Sequence, residues 1–354
     1  MDSRGFLLRR RTRQRELGDV LYVSIRYGNT PDPRNGIYRW TEKEGMVLVG
    51  NPAGGVATYE IVGSYDGGVI YAINSGTIYR SVNRQPFTLV ASSVIPGGAR
   101  DVVCNGNGSV LYATNSSGNV YKITNLDTPS PSVSMVLATL PHFIYGTNMG
   151  RHLVCDETGN MLIYHQTVQE WEDWGDGTGE EIDVSYIRTV GISPAPPQRY
   201  DYVRFAGIVA SRDLSKVYLI QQDYYNTTSV QFSNNRLNSK SLMINVANNG
   251  GYPGVACGKD GDKSFVAHAV YGTPSQFRLS KFTNGVQSGF VNVTPVPSGT
   301  HFIGVESDAN NVFYFVPYGS LSIYKSEGAT SPVEILHTVP SGATINGRLF
   351  ANKI

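Results

Sequence analysis

Cysteine is scarce in this sequence, with only three in 354 residues. Cys104, Cys155 and Cys257 cannot all pair with one another, and none lies in a CxxC or Cys/His spacing that indicates a metal. The scarcity excludes a disulfide-rich scaffold and a cysteine-based zinc site. It favours a reducing environment, or a protein that is indifferent to redox conditions.

Long apolar runs are absent too, since no stretch approaches the ~18 apolar residues of a membrane span. The only apolar part of the N-terminus, residues 6–8, is followed by Arg9, Arg10 and Arg11, which reverses the order of a secretory signal. We therefore expect no membrane span and no cleaved export signal, with an Arg-rich organellar transit peptide as the alternative. Outside a larger particle, the expected location is the cytoplasm.

Charged residues are few, at 16% of the chain, and their distribution is uneven. Residues 1–17 contain six arginines against Asp2 and Glu16, a net charge of +4, so residues 18–354 carry −3 of the total of +1. The body of the protein is therefore no general binder of polyanions, and we expect no specific recognition of nucleic acid.

Catalytic motifs are lacking. The six histidines are scattered and no pair has metal-ligand spacing, and there is neither a GxSxG elbow nor a phosphate-binding loop. We therefore predict that the protein is not an enzyme and uses no cofactor, apart from the calcium site considered below.

Glycine and tyrosine, in contrast, are abundant, with 39 and 22 residues. Residues 59–90 contain four short runs rich in Val, Ile, Tyr and Phe, separated by breaks with Gly, Asn or Asp. These residues tolerate the positive φ of a tight hairpin turn. The stretch predicts one four-stranded antiparallel meander.

An aromatic residue recurs in the second strand of seven such units, at intervals of 41 to 54 residues. The seven positions are Tyr22, Tyr71, Tyr112, Tyr164, Tyr218, Phe265 and Tyr314. This period is close to that of propeller blades. Third strands are clear in five units, and we expect the other two, in units four and five, near residues 170–174 and 241–245. The pattern predicts an all-β fold, a seven-bladed β-propeller of four-stranded antiparallel blades.

The two ends of the chain are predicted to share one blade. The first unit begins at residue 19 with its second strand, and the segment 343–354 follows the last unit without a place of its own. Pairing them closes the ring and leaves no open sheet edge. We predict a single propeller domain at residues 19–354, preceded by a basic arm at residues 1–18. Small residues on the inner strands, Cys104 and Cys257 among them, are expected to be buried by packing near the axis.

Long loops concentrate on the face that carries the second-to-third-strand turns and the blade-to-blade connectors, here termed the loop face. They are residues 26–36, 141–151, 191–203 and 222–240. Tyrosine and arginine are enriched at binding hot spots. We predict partner binding by Tyr27, Arg34, Tyr145, Arg199, Tyr200, Tyr202, Tyr224, Tyr225 and Arg236, the alternative being loops that only cover the mouth of the channel.

The basic arm and an acidic segment are two further candidate sites. Arg9, Arg10, Arg11 and Arg13 are predicted to dock on a neighbouring subunit, with phosphates, anionic lipid or solvent as alternatives. Seven carboxylates lie in residues 170–183, and Asp173, Asp176 and Glu180 have the oxygen-rich, Gly-bent character that Ca²⁺ favours, without EF-hand spacing. The alternative is a solvated acidic turn that faces a basic partner.

A family resemblance is carried by residues 78–87, IYRSVNRQPF. From Ser81 to Phe87 they resemble the Asp-box, S-x-D-x-G-x-x-W, of sialidase-type propellers, with Asn83 and Gln85 in place of its Asp and Gly. The resemblance implies a propeller, and in that family the box is a structural turn away from the active site. The sialidase signature of an Arg-Ile-Pro, three arginines and a Tyr–Glu pair is not assembled by this sequence.

A rigid ring that is low in charge and rich in Tyr, Asn, Ser and Gly also resembles structural proteins of tailed-bacteriophage virions. That resemblance implies a tail or fibre-attachment component of a larger oligomeric assembly, located in the virion, whose partners are other virion proteins or a host glycan. The alternatives are a carbohydrate-binding or glycan-hydrolysing propeller of the sialidase or lectin type, and a cytoplasmic scaffold. The lack of Gly-His and Trp-Asp dipeptides weakens the last of these.

Overall fold

The computed structural model describes residues 20–144, 152–175, 177–192, 198–223, 228–246, 253–270, 273–293, 302–307, 312–317, 320–327 and 333–351. Every helix or strand within these ranges is a β-strand, and the strands form seven antiparallel sheets. Among the described residues there is no helix long and apolar enough to cross a membrane. The seven-bladed propeller is confirmed.

The blades follow the chain, and each runs from an inner to an outer strand. Blade one has β1 (Val20–Tyr27), β2 (Gly36–Thr41) and β3 (Gly45–Gly50). Blade two has β4 (Glu60–Gly63), β5 (Val69–Asn74), β6 (Thr77–Val82) and β7 (Thr88–Ala91). Blade three has β8 (Ala99–Cys104), β9 (Leu111–Asn115), β10 (Val120–Thr124) and β11 (Ser132–Leu137). Blade four has β12 (Phe143–Ile144), β13 (Leu153–Cys155), β14 (Leu162–Asp173), β15 (Gly179–Val190) and β16 (Gln198–Asp201).

The remaining blades have the same order. Blade five has β17 (Val203–Ala210), β18 (Val217–Asp223), β19 (Thr228–Ser233) and β20 (Ser241–Val246). Blade six has β21 (Gly254–Cys257), β22 (Lys263–Val270), β23 (Thr273–Thr283) and β24 (Val286–Val293). Blade seven has β25 (Phe302–Ser307), β26 (Val312–Pro317), β27 (Ser322–Glu327) and β28 (Val333–Thr338), and β29 (Ala343–Ala351) ends the described chain.

The ring closes as predicted, because β29 is the inner strand of blade one. It pairs antiparallel with β1, with Leu21 opposite Ala351 and Tyr27 opposite Ala343. The Tyr22 and Phe350 rings, 6.4 Å apart, are both buried in the core between blades one and two. The two ends of the chain therefore hold one blade together.

Two of the expected third strands are wrong. Residues 170–174 lie at the end of β14, a second strand of twelve residues, and the third strand of blade four is β15. Residues 241–245 lie in the outer strand of blade five, whose third strand is β19 within the predicted loop 222–240. In blade four, the prediction divides β14 because its unusual length is not visible in the sequence, in which no turn residue interrupts the strand before residue 174. In blade five, the prediction assigns β19 to a loop because it is polar.

The recurrent second-strand aromatics link the blades. Tyr71 and Tyr112 are fully buried, and each hydroxyl donates a hydrogen bond to a glycine carbonyl in the first-to-second-strand turn of the next blade. The acceptors are Gly108, at 2.6 Å, and Gly159, at 2.8 Å. Both glycines have positive φ, which turns their carbonyls toward the neighbouring blade. Blades two and three are thus each fastened to the next blade at the face opposite the loop face, here termed the turn face.

A chain of backbone hydrogen bonds also runs around the axis at the turn face. The amide of Tyr65 donates to Gly106 O, that of Gly106 to Glu157 O, that of Glu157 to Arg212 O and that of Arg212 to Lys259 O, at 2.7–3.0 Å. These are the second residues of the first-to-second-strand turns in blades two to six. The Arg212 guanidinium also lies 4.5 Å from the centre of the Tyr65 ring, although blades two and five are not neighbours. Backbone and side chains therefore tie the turn face together.

The three cysteines are buried, and none of them forms a disulfide. Cys104 and Cys257 end the inner strands β8 and β21, as the packing interpretation predicts. Burial raises the pKa of the Cys104 thiol well above its usual value. A protonated, buried thiol acts as a small apolar side chain.

Candidate functional site

The blade-four hairpin, residues 170–183, is the most prominent feature of the loop face. Strands β14 and β15 form twelve consecutive residue pairs, from Leu162 opposite Val190 to Asp173 opposite Gly179. The inner strands pair with β14 only as far as Val168, and β16 pairs with β15 only from Val184 onward. Among the described residues, the hairpin therefore continues beyond its neighbours as a two-stranded ribbon.

Local sequence closes this ribbon with a tight turn. Gly175 and Gly177 have φ of +83° and +84°, a region that other residues rarely adopt. The Gly175 amide donates to Asp173 Oδ1 at 2.8 Å, and the Trp174 amide donates to Thr178 O at 3.0 Å. The glycine-rich run from which we predicted a calcium loop is thus the turn that ends the ribbon.

Two tryptophans are exposed on the hairpin, Trp171 to 63% and Trp174 to 58%. A Cβ at Gly179 would lie 2.7 Å from Trp171 Nε1 and 2.2 Å from Glu172 O, so the indole lies directly over this glycine. Glycine at position 179 lets the Trp171 ring rest on the partner strand while its other side faces solvent. Large exposed aromatic surfaces of this kind mark interaction sites.

Carboxylates lie on both faces of the ribbon. Glu172 lies directly opposite Glu180, and Glu181 lies opposite Trp171. Like charges placed opposite one another on neighbouring strands destabilise a hairpin. Glu172 Oε2 is shielded from solvent and accepts no hydrogen bond from the described residues. The hairpin is therefore an acidic surface that a cation would stabilise.

At the base of the hairpin, the acidic side chains are already paired. Arg199 on β16 contacts Glu170 on β14 at 2.7 Å and Asp201 at 2.7 Å, and its hydrogen bond to Asp201 raises the pKa of the guanidinium. Tyr186 on β15 donates to Glu170 Oε1 at 2.6 Å, and burial followed by this hydrogen bond raises its pKa. The cluster joins the second, third and outer strands of one blade.

This Tyr–Glu–Arg cluster differs from the sialidase arrangement. It contains one arginine, whose charge is balanced by two carboxylates, and it lies on the outer strands of blade four. A second arginine at the base, Arg204, pairs with Asp183 at 2.5 Å. Because both guanidinium groups already bind carboxylates, the cluster supports the hairpin and offers no free charge to an acidic sugar.

A second loop-face site lies in blade one. Arg34 lies 4.3 Å from the centre of the Tyr27 ring and forms an exposed 2.7 Å ion pair with Asp32. Hydrogen bonds from Arg34 lower the pKa of Asp32 to about 2. The Tyr38 hydroxyl donates to Arg34 O at 2.6 Å and holds the loop against the blade. Tyr27 and Arg34 thus lie together on the loop face, and their contact with a partner stays a prediction.

Among the residues that the structure describes, the other predicted contact residues do not join the hairpin and the Tyr27–Arg34 contact into one patch. Tyr200 is partly buried against Phe205, with ring centroids 5.1 Å apart, and Lys240 Nζ lies 3.7 Å from the centre of its ring. Tyr202 packs on the small core under the hairpin, with Val168 and Val184. Blades one and four are separated by blades two and three on one side and by three blades on the other.

Arg236 was expected on the loop face, and this placement is wrong. It lies in the third-to-fourth-strand turn of blade five, and its amide donates to Ser215 O in the first-to-second-strand turn at 3.2 Å. The neighbouring Leu237 is buried in the core between blades four and five. Arg236 is therefore on the turn face, because β19 divides the segment predicted to be a single loop.

Several predicted residues lie outside the described part of the chain. They are Arg9, Arg10, Arg11, Arg13, Tyr145, Asp176, Tyr224 and Tyr225. Among the described residues, no group of three or more His, Cys, Asp or Glu side chains is arranged to hold a metal ion. Because Asp176 is outside, the calcium site at Asp173, Asp176 and Glu180 stays a prediction.

A pair of buried histidines was missed by the sequence analysis. His152 and His165 lie on neighbouring strands of blade four with ring centroids 4.7 Å apart. They line a small cavity with Thr114, Gln166 and Phe205. The buried Asp101 carboxylate on β8 accepts hydrogen bonds from the His152 and Leu153 amides and joins blades three and four. Histidines thirteen residues apart carry no motif, so only the strand pairing reveals this contact.

No family model matches the sequence, and no curated protein matches it. Solved structures match in fold. A nidogen/laminin complex aligns over 95% of this chain and 98% of the other, at 12% identity and a TM-score of 0.46, which is too low to support an inference. An oligogalacturonate lyase in complex with manganese aligns over 91% and 88%, at 10% identity and a TM-score of 0.56. At this identity the likeness shows the propeller fold alone.

Proposed function

We propose that the protein is a non-enzymatic structural and binding component of a larger assembly, of the kind found in tailed-bacteriophage virions. In this role the propeller is a rigid platform in a tail or fibre-attachment complex, and the loop face and the basic arm contact other virion proteins. The observation that carries the proposal is the hairpin, with its two exposed tryptophans on a ribbon that extends beyond the blade.

The energetics of protein interfaces support this role. Tryptophan is among the residues most enriched at binding hot spots, where truncation costs ~2 kcal/mol or more. Trp171 is held over Gly179 before any partner binds, so little side-chain entropy is lost when the partner covers it. The Arg199 and Arg204 ion pairs hold the base of the ribbon against β16 and β17.

The test is the presence of the chain in particles made by the virus or cell that encodes it. We expect the wild-type chain to appear in gradient-purified high-mass particles, and the double variant W171A/W174A to remain in the low-mass fraction. L89A/I335A is the matched control, because Leu89 and Ile335 are similarly exposed on other blades, at 58% and 60%. A wild-type chain found only in the low-mass fraction would contradict the proposal.

A second candidate, binding or hydrolysis of a glycan, is favoured by one observation. The exposed Trp171 lies opposite Glu181 on one face of the ribbon, and sugars stack on exposed aromatic rings while their hydroxyls donate to carboxylates. Binding on a glycan array that is lost in W171A/W174A would support this candidate. Hydrolysis of sialosides that is lost in R199A would support the enzymatic version and contradict a purely structural role.

A further inference from the structure

The occupant of the blade-four hairpin can be inferred from the chain's own sequence. We propose that the hairpin of one copy binds the basic N-terminal arm of a second copy, so that rings associate head to tail. The proposal deepens the proposed function, on which it rests, by naming one partner of the arm.

The basic arm and the acidic hairpin have complementary charges. No Lys or Arg occurs between residues 152 and 187, whereas residues 1–17 carry six arginines and a net charge of +4. At the base of the hairpin Glu170 and Asp183 pair with Arg199 and Arg204, whereas within the described part of the chain the distal carboxylates Glu172, Glu180 and Glu181 form no ion pair. Guanidinium groups bind carboxylates with paired, charge-assisted hydrogen bonds.

The ribbon mixes acidic and aromatic side chains. Trp171 lies opposite Glu181 on one face of the ribbon, and the pair Glu172 and Glu180 lies on the other face. The arm has the matching composition, since the apolar residues 6–8 directly precede Arg9. Arginine also stacks on indole faces through a cation–π interaction. A purely basic partner would leave the two tryptophans uncovered.

The arm and the hairpin leave the ring from opposite faces. Strand β1 begins at Val20 on the turn face, since Leu21 pairs with Ala351, and it ends at Tyr27 on the loop face. The chain before Val20 therefore leaves from the turn face, whereas the hairpin projects from the loop face. An arm and its acceptor on opposite faces of one ring are the two halves of a head-to-tail contact, which repeats from copy to copy.

Distance favours a second copy over binding within one ring. Arg9 and Arg13 lie eleven and seven residues before Val20, which extended chain spans with at most about 40 Å and about 25 Å. To reach its own hairpin, the arm would have to pass from one face to the other and across the ring from blade one to blade four. A ring stacked on the turn face presents its hairpin without this detour.

Charge reversal in two separate proteins tests the proposal. One variant reverses the arm, with R9E/R10E/R11E, and the other reverses the hairpin, with E172K/E180K/E181K. Each full-length variant then carries an arm and a hairpin of the same sign, and we expect self-association to weaken about tenfold or more in low salt. Mixing the two variants pairs opposite charges between copies, and we expect association to return. Sedimentation velocity and mass photometry measure the masses.

The outcomes separate the possibilities. Restored association in the mixture supports docking between copies. A wild-type chain that is monomeric at low salt, or single variants that associate as strongly as wild type, would overturn the proposal. A third variant carries both reversals in one chain. If this variant associates like wild type and the mixture does not, the arm binds the hairpin of its own ring, and the proposal is overturned. E42K/D127K/E334K, with the same charge change at exposed sites on other blades, should associate like wild type.

This test is independent of the proposed function. A wild-type chain that is monomeric alone but enters particles through Trp171 and Trp174 would refute the head-to-tail contact and leave the structural role intact. A chain that self-associates but is absent from particles would support the head-to-tail contact and contradict the structural role.

Discussion

The turn face and the loop face of this propeller are built from the same seven units, yet they differ in what their side chains contact. On the turn face, tyrosine hydroxyls and backbone amides bind the next blade, as between Tyr112 and Gly159. On the loop face, the blade-four hairpin and the Tyr27–Arg34 contact expose aromatic rings and charges to solvent. The difference shows how a repeat fold can divide its work. Backbone hydrogen bonds join blades two to six on the turn face, and the loop face carries the exposed rings and charges, although Tyr164 also donates to Gly118 O of blade three there.

Removal of the strand that closes the ring should have the largest effect. Deleting residues 343–354 exposes β1 and the core that Leu349 and Phe350 fill, and both side chains are nearly fully buried. We expect loss of cooperative unfolding, because the cost is comparable with the roughly 5–15 kcal/mol that stabilises a typical domain. Thermal unfolding and limited proteolysis measure it. Deleting residues 1–17 is the control and should leave the melting temperature unchanged; equal stability of both truncations would refute ring closure by β29.

A single hydroxyl on the turn face should have an intermediate effect. Y112F removes the hydrogen bond to Gly159 O and leaves that carbonyl without this donor, at a cost of about 1–2 kcal/mol in the free energy of unfolding. Urea denaturation measures the change. Y121F is the matched control, since the Tyr121 hydroxyl makes no hydrogen bond to the described residues. Equal stability of the two variants would show that the blade-to-blade tyrosine bonds contribute little.

Lys240 should give a pH-dependent effect. Burial lowers its pKa from 10.5 to about 8, so between about pH 8 and 10.5 the unfolded chain holds a proton that the folded chain has lost. Linkage then makes the free energy of unfolding rise with pH across this window, and the destabilising contribution is fully present below pH 8. K240M should remove part of this rise when unfolding is measured at pH 7.5, 8.5 and 9.5. If the free energies of unfolding of K240M and wild type differ by the same amount at all three pH values, the Lys240 pKa in the folded protein is at its usual value.

The smallest effect on stability is expected on the loop face. W171A/W174A removes two side chains that are 63% and 58% exposed, so the free energy of unfolding should change by no more than about 0.5 kcal/mol. Together with the loss of partner binding expected above, this result would separate binding from stability. A destabilisation as large as that of Y112F would instead mean that the tryptophans belong to the fold.

The sequence predicted the ring because its strongest signals are periodic. The second-strand aromatics from Tyr22 to Tyr314 mark each blade, and a start at a second strand with a spare final segment required closure between the ends. Blade four was misread because its hairpin departs from the period, and β19 because TSVQFS lacks the Ile-Tyr pattern of the other third strands. A strand placement predicted from a sequence repeat is wrong where one unit has a different length from the others.

The contacts of the candidate site were less predictable for a physical reason. Exposure of Trp171 depends on where β12 and β16 end, and the opposition of Glu172 and Glu180 depends on strand register. One available signal was missed: Ser64, Asn105, Asp156 and Ser211 open equivalent turns, and each side chain accepts a hydrogen bond from the amide five residues on. That second repeat would have located the turn face from the sequence.

The contact between Arg212 and Tyr65 has a consequence for the rigidity of the ring. Blades two and five, which are not neighbours in the ring, contact each other there, and Tyr65 is only 9% exposed. A change in the spacing of these two blades would have to break this cation–π contact, so the ring resists deformation along the line that joins blades two and five.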